Sequence, residues 1–171
     1  RHPMLDVLRR SRAADVVRTY SVATLESVPV LVVAYQRPLP DAVIVERLMG
    51  REELAAAGIV EARRHPTIEL RLTPSHLALE LVLTPDAWWD QQNLIGKLSL
   101  ERYYRDFCAL LAGASQSYAM GFWPGLQLSD MHLTPQQFQR PQVLMQFLET
   151  FSCARDYFRI GVWHVPGDGV D

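Results

Sequence analysis

The stretch TIELRLTPSHLALELVL, from Thr67 to Leu83, decides the predicted fold. Apolar and polar residues alternate on both sides of a Thr-Pro-Ser-His segment, and this pattern predicts two strands joined by a turn. Proline fixes φ near about −65°, so Pro74 excludes a type I′ two-residue turn and favours a four-residue loop. The resulting antiparallel register places Ile68 and every leucine on one face, which we expect to pack beneath helices.

The same register places Glu69 directly opposite Glu80, on the face away from the leucines. Like charges at directly opposed positions destabilise a sheet. Three arrangements would resolve the conflict: Arg71 neutralises both carboxylates on a solvated face, a divalent cation lies between them, or one carboxylate is held protonated. Because acid–base enzymes use the third arrangement, Glu69 and Glu80 are candidate catalytic residues, and Arg71 is a candidate ligand-binding residue.

The flanking sequence extends this hairpin into an α+β domain. Strands are predicted at 16–23, 28–36, 118–123 and 158–162, and helices at 41–57, 86–98, 100–111 and 134–151. Thr84, Ser99 and Thr134 are the predicted N-caps. We expect residues 1–171 to form a single domain, with an N-terminal helix at 1–15 and a frayed tail at 166–171. Its antiparallel sheet should have about five to seven strands, with helices mainly on one face.

A second group of candidate residues begins the helix after the hairpin, where Trp88 and Trp89 precede Gln91. Gln91 falls within the apolar stripe of this helix, and leaving a buried amide unpaired costs about 1–3 kcal/mol. It is either a structural hydrogen-bonding residue or, with Trp88 or Trp89 as an aromatic wall, part of a ligand pocket. Trp123, which lies near the loop of Asp130 and His132 in sequence, is predicted to line the core or a ligand pocket. Tryptophan near the surface also favours an interface, and we expect a homodimer.

The loop before the last predicted helix holds Asp130 and His132. Asp130 either orients His132, as carboxylates do for catalytic or metal-bound imidazoles, or only forms the turn. The sequence contains neither a Gly-x-Ser-x-Gly nor an HExxH motif to accompany the pair. It also lacks a P-loop and a dinucleotide-binding glycine motif. His76 is interpreted as a turn residue.

Composition limits the compartment and the partners. A chain of 171 residues that is 49% hydrophobic suits one folded domain, and a net charge of −2 argues against nucleic-acid binding. The charged N-terminus and the shortness of the longest apolar run predict no secretory signal and no membrane helix. Cys108 and Cys153 lie outside any metal-ligand spacing, so we expect reduced thiols, no metal and no cofactor. Lys97 is the single lysine among many arginines, which suggests a bacterial genome, and the start at Arg1 rather than Met suggests a missing upstream piece.

No sequence feature identifies a specific function. We expect a non-catalytic, cytoplasmic bacterial domain that binds a small ligand or a protein partner as a homodimer, without nucleic acid or membrane contact. The alternative is a hydrolase or lyase that uses the Glu69/Glu80 pair or the Asp130/His132 pair. That hypothesis requires these side chains to converge on one concave, partly apolar pocket.

Overall fold

One antiparallel sheet organises the protein. The computed structural model describes residues 16–23, 29–58, 60–123, 132–153 and 157–167. The strands are β1 (Val16–Ala23), β2 (Pro29–Gln36), β3 (Thr67–Leu72), β4 (Leu77–Leu83), β5 (Tyr118–Phe122) and β6 (Phe158–His164). They form a six-stranded sheet in the order β1-β2-β3-β4-β6-β5, in which all neighbours are antiparallel. The predicted α+β class and number of strands are confirmed.

Six helices are described, together with a 3-10 turn at Ala62–Arg64. The helices are α1 (Leu39–Leu48), α2 (Glu52–Ala56), α3 (Trp88–Leu98), α4 (Glu101–Gly113), α5 (Pro135–Phe138) and α6 (Pro141–Cys153). The helix predicted at 41–57 is divided into α1 and α2, because Gly50 adopts a φ of 75° that a helix cannot continue through. Among the described residues, no helix has the length and apolar character that a bilayer crossing requires.

One of the three predicted N-caps is confirmed. The Thr134 side chain forms a reciprocal capping box with Gln137 at the start of α5. Thr84 and Ser99 do not cap α3 and α4 with their side chains. The Thr84 hydroxyl instead donates to the Arg63 carbonyl, so the tertiary contact replaces the local one.

The central hairpin has the predicted register. Glu69 pairs with Glu80 across β3 and β4, and four residues connect the two strands. Thr73 closes the loop, because its amide donates to the His76 carbonyl at 2.9 Å. The alternation and the proline were therefore sufficient to fix both the pairing and the loop length.

The helices cover only one end of the leucine-bearing face of the sheet. Leu83 and Phe158 belong to the core cluster, whose remaining buried members are Leu98, Leu111, Met120, Phe138, Leu144 and Phe147. Leu72 and Leu77, which flank the turn, are 52% and 39% exposed, and Leu81, further along β4, is 37% exposed. The expectation that every hairpin leucine packs beneath helices is therefore wrong for these three residues.

The opposite face of the hairpin is buried rather than solvated. Glu69, Arg71 and Glu80 are 7%, 5% and 1% exposed. The prediction of an outward-facing, solvated pair of glutamates is therefore wrong. A period of two shows which side chains share a face but not which face is covered, and charges can be buried where opposite charges lie beside them.

The N-terminal helix predicted at 1–15, Asp130 and most of the tail at 166–171 lie outside the described residues.

Candidate functional site

The face opposite the leucines carries a continuous group of polar side chains, which we call the polar face. The register places Gln36 beside Thr67, Glu69 beside Glu80, and Trp163 two residues from Gly161 on the neighbouring strand β6. Because alternate residues of a strand share a face, these positions all lie on the same side of the sheet. The members of the polar face are Gln36, Thr67, Glu69, Arg71, Glu80, Arg159 and Trp163.

Two arginines neutralise the two carboxylates of the polar face. Arg71 Nη2 donates to Glu69 Oε2 at 2.7 Å, and Arg159 Nη1 donates to Glu80 Oε2 at 2.7 Å. Arg71 Nη1 also lies 3.8 Å from Glu80 Oε2, so Arg71 links the two carboxylates. The first of the three predicted arrangements is therefore present, but on a buried face and with Arg159 as a second cation. Sequence reasoning missed Arg159.

The remaining carboxylate oxygens are also hydrogen-bonded. Glu69 Oε1 accepts from the Thr67 hydroxyl at 3.2 Å, and Glu80 Oε1 accepts from the Trp163 indole N–H at 2.9 Å. Burial, followed by the positive charge of Arg71, lowers the pKa of Arg159, although a guanidinium stays protonated in proteins. Each carboxylate thus acts as an acceptor that holds an arginine in place.

Gly161 makes room for the Glu80 side chain. A Cβ atom added at Gly161 would overlap the Leu79 carbonyl oxygen and would lie 2.7 Å from Glu80 Cα and 2.8 Å from Glu80 Cγ. Any larger residue would therefore displace the backbone of β4 or the carboxylate. The glycine is required by this close approach of neighbouring strands.

Aromatic rings extend the polar face towards the hairpin turn. The His76 imidazole stacks on Trp163, with ring centroids 4.1 Å apart and planes inclined by 24°. Trp123 contacts the edge of Trp163 at a centroid distance of 6.3 Å, and both His76 and Trp123 are buried. Burial, followed by the charge of Arg71, lowers the pKa of His76, so its imidazole is neutral at neutral pH. The interpretation of His76 as an ordinary turn residue missed its place in the site.

The unpartnered buried atoms of this region are all nitrogens. Within the described part of the chain, Gln36 Nε2, Arg71 Nε, Arg71 Nη1, His76 Nε2 and Trp123 Nε1 are buried without a hydrogen-bond partner. The amide, guanidinium and indole nitrogens can only donate, and the imidazole nitrogen donates in one tautomer and when protonated. An unpaired buried donor costs about 1–3 kcal/mol. The polar face is thus suited to a molecule that supplies acceptors.

A second buried cluster, which we call the closed cluster, joins α1 to α3 through Arg37, Glu46, His65 and Asp90. Arg37 Nη1 lies 2.9 Å from His65 Nδ1 and also forms an ion pair with Asp90. Because a guanidinium can only donate, Nδ1 accepts and the proton resides on Nε2, which lies 3.2 Å from Glu46 Oε1. Burial, followed by the charge of Arg37, lowers the pKa of His65, so it is neutral. Glu46 Oε1 and His65 Nε2 face one another in this cluster, whereas Asp90 Oδ2 is buried without a hydrogen-bond partner.

The residues of α3 that were predicted to form a ligand pocket do not surround one binding site. The Gln91 amide is buried and donates to the Thr84 carbonyl at 2.6 Å, which is the structural alternative. Trp88 is 53% exposed, and its ring lies 6.5 Å from that of Trp89. Of the predicted ligand-binding residues, Arg71 and Trp123 are the two that lie at or beside the polar face.

The Asp130/His132 pair stays a prediction, because Asp130 lies outside the described residues and His132 is half-buried. The described ranges contain no group of three potential metal ligands. No protein-family model, curated protein or solved structure matches the chain. The function therefore has to be inferred from the geometry of the polar face.

Proposed function

We propose that the domain binds a small molecule rich in hydrogen-bond acceptors through the polar face. The observation that carries this proposal is the separation of unpartnered atoms by type. Buried N–H groups without partners belong to Gln36, Arg71 and Trp123, whereas the unpartnered oxygens belong to Glu46, Asp90 and Gln136, elsewhere in the described chain. Since a folded protein normally pairs its buried polar groups, a one-sided excess of donors indicates a ligand that completes them.

The surroundings of these donors suit a small molecule. His76, Trp123 and Trp163 supply aromatic surface beside the charged groups. Ligand sites are commonly formed by apolar and aromatic walls with a few polar groups that fix orientation. The guanidinium of Arg71 is held by Glu69, so its position is set before a ligand arrives.

Binding rather than catalysis is the preferred role, because all four carboxylate oxygens of Glu69 and Glu80 already accept hydrogen bonds. The hydrolase or lyase that would use this pair, or Asp130 and His132, stays the alternative. The two roles are separated by following a bound ligand by NMR over hours, since an enzyme would convert it to product and a binding domain would not.

The test of the proposal compares carboxylates, which only accept hydrogen bonds, with the corresponding amides, which also donate them. Unfolding temperatures of the protein are measured with acetate and benzoate and with their amides, acetamide and benzamide. A bound ligand stabilises by RT ln(1 + [L]/Kd), about 2.7 kcal/mol at a hundredfold excess over Kd. We expect at least one carboxylate to raise the unfolding temperature in a saturable manner. A panel that leaves it unchanged would overturn the proposal.

Two tryptophan variants test whether the carboxylate binds at the polar face. Trp123→Phe removes an indole N–H that has no partner, and we expect it to weaken binding about tenfold, since a hydrogen bond to a charged group contributes about 1.5 kcal/mol or more. Trp88→Phe, on the exposed side of α3, is the matched control and should leave the affinity unchanged. Equal losses in both variants would contradict a site on the polar face.

We further propose a cytoplasmic, bacterial setting and a homodimer. The predominance of arginine over lysine supports the bacterial setting, and the free thiol of Cys108 supports the cytoplasmic one. A molar mass in sedimentation that equals the monomer at every protein concentration would overturn the homodimer.

A further inference from the structure

The sheet register places a third arginine on the same side of the sheet as the polar face. Arg18 on β1 pairs with Ala34 on β2, and Ala34 pairs with Glu69 on β3. Directly paired residues of an antiparallel sheet lie on the same side, so Arg18, Glu69 and Glu80 belong to one row across the strands. A basic residue therefore continues this side of the sheet on the edge strand β1.

Basic residues exceed acidic residues on this side of the sheet. In the six described strands, the charged positions on this side are three arginines and two glutamates: Arg18, Arg71, Arg159, Glu69 and Glu80. Arg71 and Arg159 already lie 2.7 Å from carboxylate oxygens of the two glutamates. However the three arginines share the two carboxylates, one positive charge has no acidic counterpart at these strand positions.

The excess of positive charge and the excess of donors favour the same kind of ligand. In the described part of the chain, Gln36 Nε2, Arg71 Nε and Trp123 Nε1 are buried nitrogens that still require acceptors. A positive charge on a buried face is costly unless an opposite charge compensates it. A neutral acceptor would satisfy the donors without compensating the charge, and a phosphate dianion would bring more negative charge than is needed. A carboxylate meets both requirements.

We infer that the ligand of the polar face is a carboxylate with a single negative charge, which the third arginine, Arg18, balances. This inference rests on the proposed function and deepens it by naming the ligand class and its charge. The rings of His76, Trp123 and Trp163 provide a surface for the body of an aromatic acid. Benzoate is therefore the probe, and benzamide, which has almost the same shape, is its neutral counterpart.

The experiment measures the dissociation constants of benzoate and benzamide by isothermal titration calorimetry at about pH 7, where a carboxylate of ordinary pKa, about 4, is ionised. We expect benzoate to bind at least about tenfold more tightly than benzamide, because hydrogen bonds to a charged group are stronger than those between neutral groups. This ratio is measured on the wild type and does not depend on the folding of a variant.

The variant Arg18→Gln removes the excess charge and keeps a donor. We expect it to lower the benzoate affinity about tenfold and to leave the benzamide affinity nearly unchanged, whereas Arg18→Lys should retain the preference for benzoate. Arg105→Gln on α4, where the arginine side chain is 74% exposed, is the matched control and should behave as the wild type. If Arg18→Gln does not fold, the NMR signal of the Arg18 Nε–H in the wild type, assigned with Arg18→Lys, replaces it. That signal should shift on saturation with benzoate and stay in place with benzamide.

Each outcome separates this inference from the proposed function. Equal affinities for benzoate and benzamide in the wild type overturn the inference and leave the proposed function standing. A preference for benzoate that persists in Arg18→Gln, or an Arg18 signal that does not move with benzoate, also overturns it, because the third arginine would then not balance the ligand. If neither compound binds the wild type, both the inference and the proposed function fail.

Discussion

The protein contains two buried ionic clusters that look alike in composition and differ in balance. The closed cluster combines Glu46 and Asp90 with His65 and Arg37, and the polar face combines two carboxylates with two arginines. In the closed cluster the unpartnered atoms are two carboxylate oxygens, Glu46 Oε1 and Asp90 Oδ2, and one nitrogen, His65 Nε2, which lies 3.2 Å from Glu46 Oε1. On the polar face they are all nitrogens.

The type of unpartnered atom can distinguish a structural ionic cluster from a binding surface. Both clusters are ionic and largely buried, so burial alone does not distinguish them. What differs is the type of unpartnered atom: the closed cluster leaves oxygens as well as a nitrogen, and the polar face leaves nitrogens alone. The following substitutions test this distinction, because they should affect stability in one cluster and ligand affinity in the other.

The largest expected effect is loss of stability when the closed cluster is broken. Glu46→Gln removes the carboxylate that Arg51, Arg64 and His65 share, and we expect a loss of about 3 kcal/mol in the free energy of unfolding. Glu61→Gln, which removes an exposed partner of Arg64, is the control and should change it by less than about 0.5 kcal/mol. Urea unfolding measures both. A Glu46→Gln protein as stable as the control would contradict a structural role.

Gly161→Ala should affect both stability and binding. The added methyl group would displace the β4 backbone or Glu80, so we expect a loss of about 2 kcal/mol, together with weaker benzoate binding. Gly96→Ala on α3 is the matched control, because its Cβ would meet nothing within 4 Å and alanine favours the helix. Unfolding and calorimetry on both variants check this, and unchanged binding in Gly161→Ala would separate Glu80 from the site.

Both buried histidines should contribute to the pH dependence of the free energy of unfolding. His65 and His76 both have lowered pKa values in the folded protein, each chiefly from burial. As pH falls through about 6.5, the unfolded chain takes up protons first, so stability falls with a slope of at most about 1.4 kcal/mol per pH unit for each histidine. Stability that stays constant between about pH 5 and pH 7 would contradict both assignments.

The smallest effect on stability is expected at Gln36. Gln36 and Gln91 are similarly buried, at 9% and 8% exposure, but the Gln91 amide nitrogen donates to the Thr84 carbonyl, whereas the Gln36 amide nitrogen has no hydrogen-bond partner. Gln91→Met should therefore cost about 1–2 kcal/mol, whereas Gln36→Met should change stability by less than about 0.5 kcal/mol. Equal destabilisation by the two substitutions would show that Gln36 is paired after all.

The hairpin could be predicted because its signals are local. Alternation of leucines and the constraint of Pro74 determined the register, and this placed Glu69 opposite Glu80 with Arg71 nearby. The covered face could not be predicted, because burial depends on elements far away in the chain. The leucine pattern suggested one apolar, buried face, but ionic pairing allows the other face to be buried as well.

The rest of the site depends on contacts between distant residues. Arg159 lies 79 residues from Glu80, and only the pairing of β4 with β6 brings them together. His76 could have been noticed, because positions 76, 78 and 80 share one parity and continue the face of Glu80. Gly161 carried no recognisable signal in a single sequence, since its role follows from the close approach of Glu80.

The most direct measurement is the NMR signal of the Trp123 indole N–H during a titration with benzoate. The chain has four tryptophans, and the variants Trp123→Phe and Trp88→Phe assign two of the indole signals. If the unpartnered donors bind the carboxylate, the Trp123 proton should move downfield in a saturable manner while the Trp88 proton stays in place. A Trp123 signal that does not move while benzoate is bound, or a shift confined to Trp88, would contradict the account.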